Sequence, residues 1–183
     1  FSFAYQELEL IYFVKKKYTR VCTVFLNRKG CYFQLKFRGA LVQQLREVTR
    51  KLGLTLGTLH TAVALLDLFM DCHILRDDRL THVALACLSL AGTTLAKVSG
   101  VQLCGKTFRQ LEWMVGQHVR WRLLAPTPVT FAALLAQYVV TDSDLVTRHP
   151  KFVRRFKKDG AKLLEAYLDL TLSSEWYLYS CLS

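Results

Sequence analysis

The sequence predicts an all-α fold: a five-helix bundle, followed by the first helix or two of a second helical unit. Three observations carry this prediction. From Lys36 onward, apolar residues recur at three- and four-residue steps almost throughout. Only nine Gly and three Pro punctuate 183 residues, while 52% are apolar and 21% charged, which is enough to bury a full core and excludes a disordered or collagen-like chain. β-rich alternation is confined to one early stretch.

That stretch comes first in chain order. Val21 to Leu35 is alternating, β-branched and aromatic, and Asn27-Arg28-Lys29-Gly30 can turn it, so it admits a short hairpin near residues 21–35. A lone hairpin is weakly stable in water. The first helix starts near Lys36 and places Phe37, Ala40, Leu41, Leu45, Val48 and Leu52 on one face before Gly53 ends it. Thr55 can cap a second helix that reaches about Cys72 and carries Leu59, Val63, Leu66 and Phe69. Asp77 or Asp78 can cap a third, from about Arg79 to Leu95, which is apolar nearly all round and so belongs at the centre of the bundle. A fourth runs from about Lys106 to Val119, and Thr127-Pro128 opens a fifth that ends near Val140. A polar connector from Thr141 to Pro150 leads into a sixth helix, about Phe152 to Leu172. The expected divisions are an N-terminal extension (1–35), the bundle (36–140), and a linker with an incomplete second unit (141–183).

Charge and composition narrow the function classes. Lys and Arg outnumber Asp and Glu by 25 to 14, a net charge of +11, which favours an acidic partner without specifying its kind. Lys15-Lys16-Lys17 and the run from Lys151 to Lys158 raise nucleic acid as that partner, but no aromatic stacking platform accompanies them, so nucleic acid is disfavoured. No apolar run approaches the roughly 20 residues of a membrane span. The greasiest stretch, Ala62 to Met70, is interrupted by Asp67, and no membrane association is expected. The chain opens on Phe1 without a signal-peptide pattern, which suggests a fragment. Six cysteines without a C-x-x-C spacing read as reduced thiols of an intracellular protein. Cys72-His73 with His82 fits no common zinc spacing, so neither a metal nor a cofactor is expected.

One motif points elsewhere. Gly100 to Thr107, with Gly105 and Lys106, matches the phosphate-loop pattern G-x-x-x-x-G-K-[ST], in which backbone N–H groups and the lysine cradle phosphates. That loop requires a buried strand before its first glycine and a parallel sheet around it. Here a helical run ending in Thr93-Thr94-Leu95-Ala96-Lys97 precedes it, and Tyr138 to Asp142 is a poor stand-in for the acidic strand that holds magnesium. Two glycines and a lysine in a helix–helix loop are the competing reading.

The helix sequences resemble the cyclin family. Phe37-Arg38-Gly39-Ala40-Leu41-Val42-Gln43-Gln44-Leu45-Arg46-Glu47-Val48 is similar to the first-helix motif M-R-A-I-L-x-x-W-L-x-E-V of the cyclin box. Gly57-Thr58-Leu59-His60-Thr61-Ala62-Val63 through Asp67 and Phe69 is similar to the second-helix motif E-T-L-H-L-A-V-x-Y-I-D-R-F, with no gap between the two. Leu65 to Asp71, Val83 to Leu88, and Trp121-Arg122-Leu123 with Pro126, Thr127 and Phe131 resemble the family's J branch most. Ala4 to Leu10 resembles its lead-in, and Lys162 to Tyr179 resembles the start of its second, C-terminal fold. Residues 11–35 and 92–100 depart from the pattern.

The resemblance implies a non-enzymatic regulatory subunit. It would bind a cyclin-dependent serine/threonine kinase in cell-cycle control, in the nucleus or cytoplasm, hold the kinase in its active arrangement, and take no small-molecule substrate. It also implies roles for residues. Arg38 and Asp67 match an arginine and an aspartate that pair between the first two helices and hold the fold. Glu112 matches a fourth-helix glutamate that contacts kinase backbone, and Leu85 and Leu88 lie on the third helix, which would face the kinase. Thr93 stands where the family's third helix ends in a lysine, so one charge-assisted contact is lost. Phe37, Ala40, Leu41 and Gln44 occupy the groove that takes R-x-L peptides. Gln44 removes its aromatic wall and Ala40 removes volume, so this substrate-docking patch is weakened. His82 replaces an apolar position, as tolerated packing. Two alternatives stay open beside the kinase regulator: an adaptor of the same fold that activates no kinase, and a phosphate-loop nucleotide-binding protein.

Overall fold

The computed structural model describes residues 32–73, 75–92, 105–123, 126–139 and 150–173, and every regular element among them is a helix. In chain order these are α1 (Tyr32–Leu52), α2 (Leu56–Cys72), α3 (Asp77–Gly92), α4 (Gly105–His118), α5 (Pro128–Val139) and α6 (Pro150–Ser173).

Local chemistry sets the boundaries. Gly53 takes φ of 63°, a left-handed conformation that suits glycine, and the Leu54 N–H returns to the Thr49 carbonyl at 3.0 Å to close α1. Thr55 is extended, and its hydroxyl accepts the Thr58 N–H at 3.2 Å, capping α2 as its sequence predicts. Asp77 and Asp78 sit in the first turn of α3, where negative charge complements the helix dipole. Pro128 and Pro150 open α5 and α6, positions at which a missing N–H removes no helical hydrogen bond.

The core is built around α3. Leu80 and the unbroken run Val83 to Leu88 are buried, so this helix touches protein on nearly all sides. It packs most extensively against α2 and α4 and also meets α1. Leu41, Val42 and Leu45 of α1 and Leu59, Val63, Leu66 and Phe69 of α2 complete the centre. Burial of this apolar surface is what holds helices whose own ends are short of partners. The last turns of α6 dock on α1 and α2 through the buried Leu168 and Leu172, while residues 154–163 of the same helix are exposed. No described helix is long and apolar enough to cross a membrane.

The start of α1 differs from the sequence expectation. Tyr32 to Leu35, expected as the end of a hairpin, form the first turn of α1, because they continue an amphipathic helix rather than pair with a strand. Residues 21–31 of that hairpin lie outside the described residues, as do Thr93 to Leu95, the expected last turn of the third helix.

Candidate functional site

The junction between the first helices and α6 is a set of charged clamps. The Arg38 side chain on α1 is 3% exposed. Its Nε donates to Oδ1 of Asp67 on α2 at 2.8 Å and its Nη2 to Oδ2 at 3.0 Å, a two-pronged pair. Its remaining nitrogen, Nη1, donates to the Leu172 carbonyl of α6 at 3.0 Å. Burial pushes the Asp67 carboxyl up from its ordinary value, and the hydrogen bonds and charge of Arg38 oppose that rise. Arg46 of α1 reaches the same helix: Nε donates to Asp169 Oδ1 at 2.8 Å, and Nη2 to the Asp169 carbonyl and the Ser173 hydroxyl. His60 of α2 completes the set, with Nε2 3.1 Å from the Leu168 carbonyl. α6 has no basic residue in its own last turn, so Arg38 and Arg46 of α1 supply the cations that its negative C-terminal end favours, and His60 of α2 adds a neutral hydrogen bond.

Because a carbonyl only accepts, Nε2 of His60 carries the proton. Burial holds the ring below the ordinary imidazole value, with the Leu168 hydrogen bond and the Asp169 charge opposing. The folded protein therefore binds this proton less readily than the unfolded chain. The contribution is fully present above the ordinary imidazole range, about pH 6.5, and is lost as pH falls below it. Denaturant midpoints should drop between pH 7.5 and pH 5.5, and His60→Gln, which retains an N–H donor but cannot ionise, should reduce that drop. An unchanged slope in the variant counts against this assignment.

A second feature lies on α4. Glu112 is half-buried and, among the described residues, has no ion-pair or hydrogen-bond partner. Beside it Trp113 is 58% exposed, and Trp121 is 49% exposed. Their rings meet edge to face, 5.3 Å between centroids. The turn after α4 brings them together. Arg120 and Trp121 both take left-handed backbone, φ 53° and 56°, and the Trp121 N–H bonds to the Gly116 carbonyl at 2.8 Å. Such a conformation is uncommon for a bulky residue and concentrates at functional sites. Gly116 makes room for it: a Cβ there would lie 2.6 Å from the Trp121 ring. The aromatic pair was missed in the sequence because Trp121 lies beyond the end of α4, where helical periodicity no longer says which way a side chain faces. Gly116, in the last turn of α4 and five residues before a tryptophan, was the one available signal.

Other expected site residues fall differently. Leu85 and Leu88 are 2% and 0% exposed, so they are core residues of the central helix and cannot meet a partner while the bundle is intact. This corrects their assignment to a kinase-facing surface. Of the docking patch, Leu41 is 5% exposed and Phe37 packs against the core, while Ala40 is exposed and Gln44 half-buried. These four residues share a face of α1, but most of their apolar surface already points inward. His82 is half-buried on α3. Thr93 and Gly100 lie outside the described residues. Gly105, Lys106 and Thr107 form the first turn of α4, and among the described residues there is no strand to build the sheet that a phosphate loop requires.

Comparison with known proteins agrees with this architecture. The family described as "Cyclin, N-terminal domain" matches residues 4–104, more than half of the chain. Cyclin-J of Xenopus laevis is 27% identical over 168 residues, covering 82% of this chain and 44% of that protein. Cyclin-J of Homo sapiens is 26% identical over 162 residues, covering 79% of this chain and 44% of that protein. The chain thus spans less than half the length of these curated relatives. No solved structure gives a significant match. A central apolar α3, a first pair of helices locked by Arg38 and Asp67, and the family match across residues 4–104 lead to one assignment: the chain belongs to the cyclin family.

Proposed function

We propose that this protein is a non-enzymatic regulatory subunit that binds and activates a cyclin-dependent serine/threonine kinase inside the cell, in the nucleus or cytoplasm. The observation that carries the reading is the α4 surface: the exposed Trp113–Trp121 pair, on the helix that also carries Glu112, a carboxylate without a hydrogen-bond or ion-pair partner among the described residues, in a chain of the cyclin family. Two exposed, paired tryptophan rings suit a protein partner, since such rings anchor interfaces and bury much area at small entropic loss, and a carboxylate on the same helix can accept hydrogen bonds from that partner. Residues 36–140 would form the box that presents this surface. Residues 141–183 would begin a second helical unit whose later helices cover the exposed α6 stripe of Phe156, Leu163, Tyr167 and Leu170.

The second reading, an adaptor that activates no kinase, is favoured by Thr93, which cannot supply the ammonium that the family's lysine gives to kinase carbonyls. Co-elution of the purified chain with cyclin-dependent kinases, followed by histone-type phosphorylation, separates the two. Binding with phosphorylation supports the regulator; binding without it supports the adaptor. Trp121→Ala should weaken association by at least about 30-fold, the loss of one interface anchor. Undiminished binding by that variant would remove the α4 surface from the proposal.

A further inference from the structure

The C-terminal ends of α2 and α4 meet at one corner of the bundle, and each delivers a histidine. His73 follows α2 directly, and its backbone N–H closes that helix on the Phe69 carbonyl at 3.1 Å. His118 is the last residue of α4. Nε2 of His73 lies 3.1 Å from Nδ1 of His118 at the protein surface. Both rings rest on the same support: His73 stacks on Phe69 at 4.4 Å between centroids, and His118 meets that ring edge-on at 5.5 Å. Phe69 is fully buried, so the platform beneath the two imidazoles is fixed by the core.

We propose that His73 and His118 form a binding site for a divalent transition-metal ion of the imidazole-seeking class, with zinc as its type. Metal–imidazole bonds of about 2.0–2.1 Å put two ligand nitrogens on one ion roughly 3 to 3.4 Å apart. The observed separation falls in that range, and rotation of the two rings turns nitrogens that now face each other toward a shared point. In the metal-free protein one ring donates its N–H to the other. When the ion binds, the donor ring carries its proton on its other nitrogen instead, so both rings ligate as neutral imidazoles and no net proton is released. Water completes the coordination. The corner also favours positive charge, because the carbonyl ends of two helices converge there. Hard cations such as magnesium prefer oxygen ligands and should not compete.

The pairing was not visible as a motif. The sequence sets Cys72-His73 near His82, whereas the fold brings His118, 45 residues away, against His73. A bound ion would tie α2 to the end of α4 at the point where the turn carrying Trp121 begins.

The test uses the full chain without an affinity tag, stripped of metal, with zinc chloride as the probe. Isothermal titration should show saturable binding, and zinc should raise the thermal midpoint as a ligand specific to the folded state does, while magnesium chloride should not. His73→Gln and His118→Gln, which keep a hydrogen-bonding side chain of similar reach but supply no imidazole, should each weaken zinc by at least about tenfold. His82→Ala should leave it unchanged. A cooperative melt of each variant without metal establishes that the fold persists; if either fails this, His73→Asn and His118→Asn replace it. Absence of zinc binding, or binding that survives both substitutions because the cysteines hold the ion, overturns the site.

Discussion

Arg38→Met should destabilise the protein by about 3–5 kcal/mol, measured by chemical denaturation, because it leaves the Asp67 carboxylate buried without its partner. The pair itself is not a source of large net stability. Its Coulombic gain is set against the desolvation that pushes the Asp67 carboxyl upward. The double variant Arg38→Met with Asp67→Leu should therefore recover most of the loss, since no charge is then stranded. It should not recover all of it. Arg38 also serves the Leu172 carbonyl, and an unsatisfied buried carbonyl costs about 1–3 kcal/mol. A double variant as unstable as Arg38→Met alone would mean that Arg38 acts through α6 rather than through Asp67.

Phe69→Ala should cost a similar amount, about 3–5 kcal/mol, by combining lost apolar burial with a cavity that the surrounding helices cannot close. Phe69 is among the largest fully buried side chains and lies in the core shared by α2, α3 and α4. It also supports His73 and His118, so the variant should lose the zinc response along with stability. Trp113→Ala is the control. Its ring is mostly exposed, and its removal should shift stability by well under 1 kcal/mol, as is usual for surface positions. A Phe69→Ala loss no larger than that of Trp113→Ala would place Phe69 outside the cooperative core.

Most of the helices were legible from local chemistry. Thr55 marks the start of α2 because its hydroxyl satisfies a helix N–H, and Gly53 marks the end of α1 because it accepts a left-handed backbone. The burial of α3 follows from an apolar surface that leaves no polar stripe for water. The same pattern explains the one substantive misreading at the site. Leu85 and Leu88 were placed at a partner surface by analogy of position, although a helix apolar on all sides has no free face to offer them. The hairpin expectation erred at Tyr32 to Leu35 because a short, nearly continuous apolar run does not distinguish strand from helix, and continuity with α1 decided it.

By itself the sequence determined that the chain is helical and which helix is central, because these depend on periodicity within single helices, and its resemblance to the cyclin family implied that Arg38 and Asp67 pair. Three things were decided only by tertiary structure. One is the capture of the end of α6 by Arg38, Arg46 and His60, which joins residues more than 100 positions apart. The second is the Trp113–Trp121 surface, which exists because two consecutive left-handed residues fold Trp121 back over Gly116. The third is the meeting of His73 and His118 at two helix ends. No local spacing encodes such contacts. They arise when burial of the common core fixes the relative positions of helices whose side chains could not otherwise have found one another.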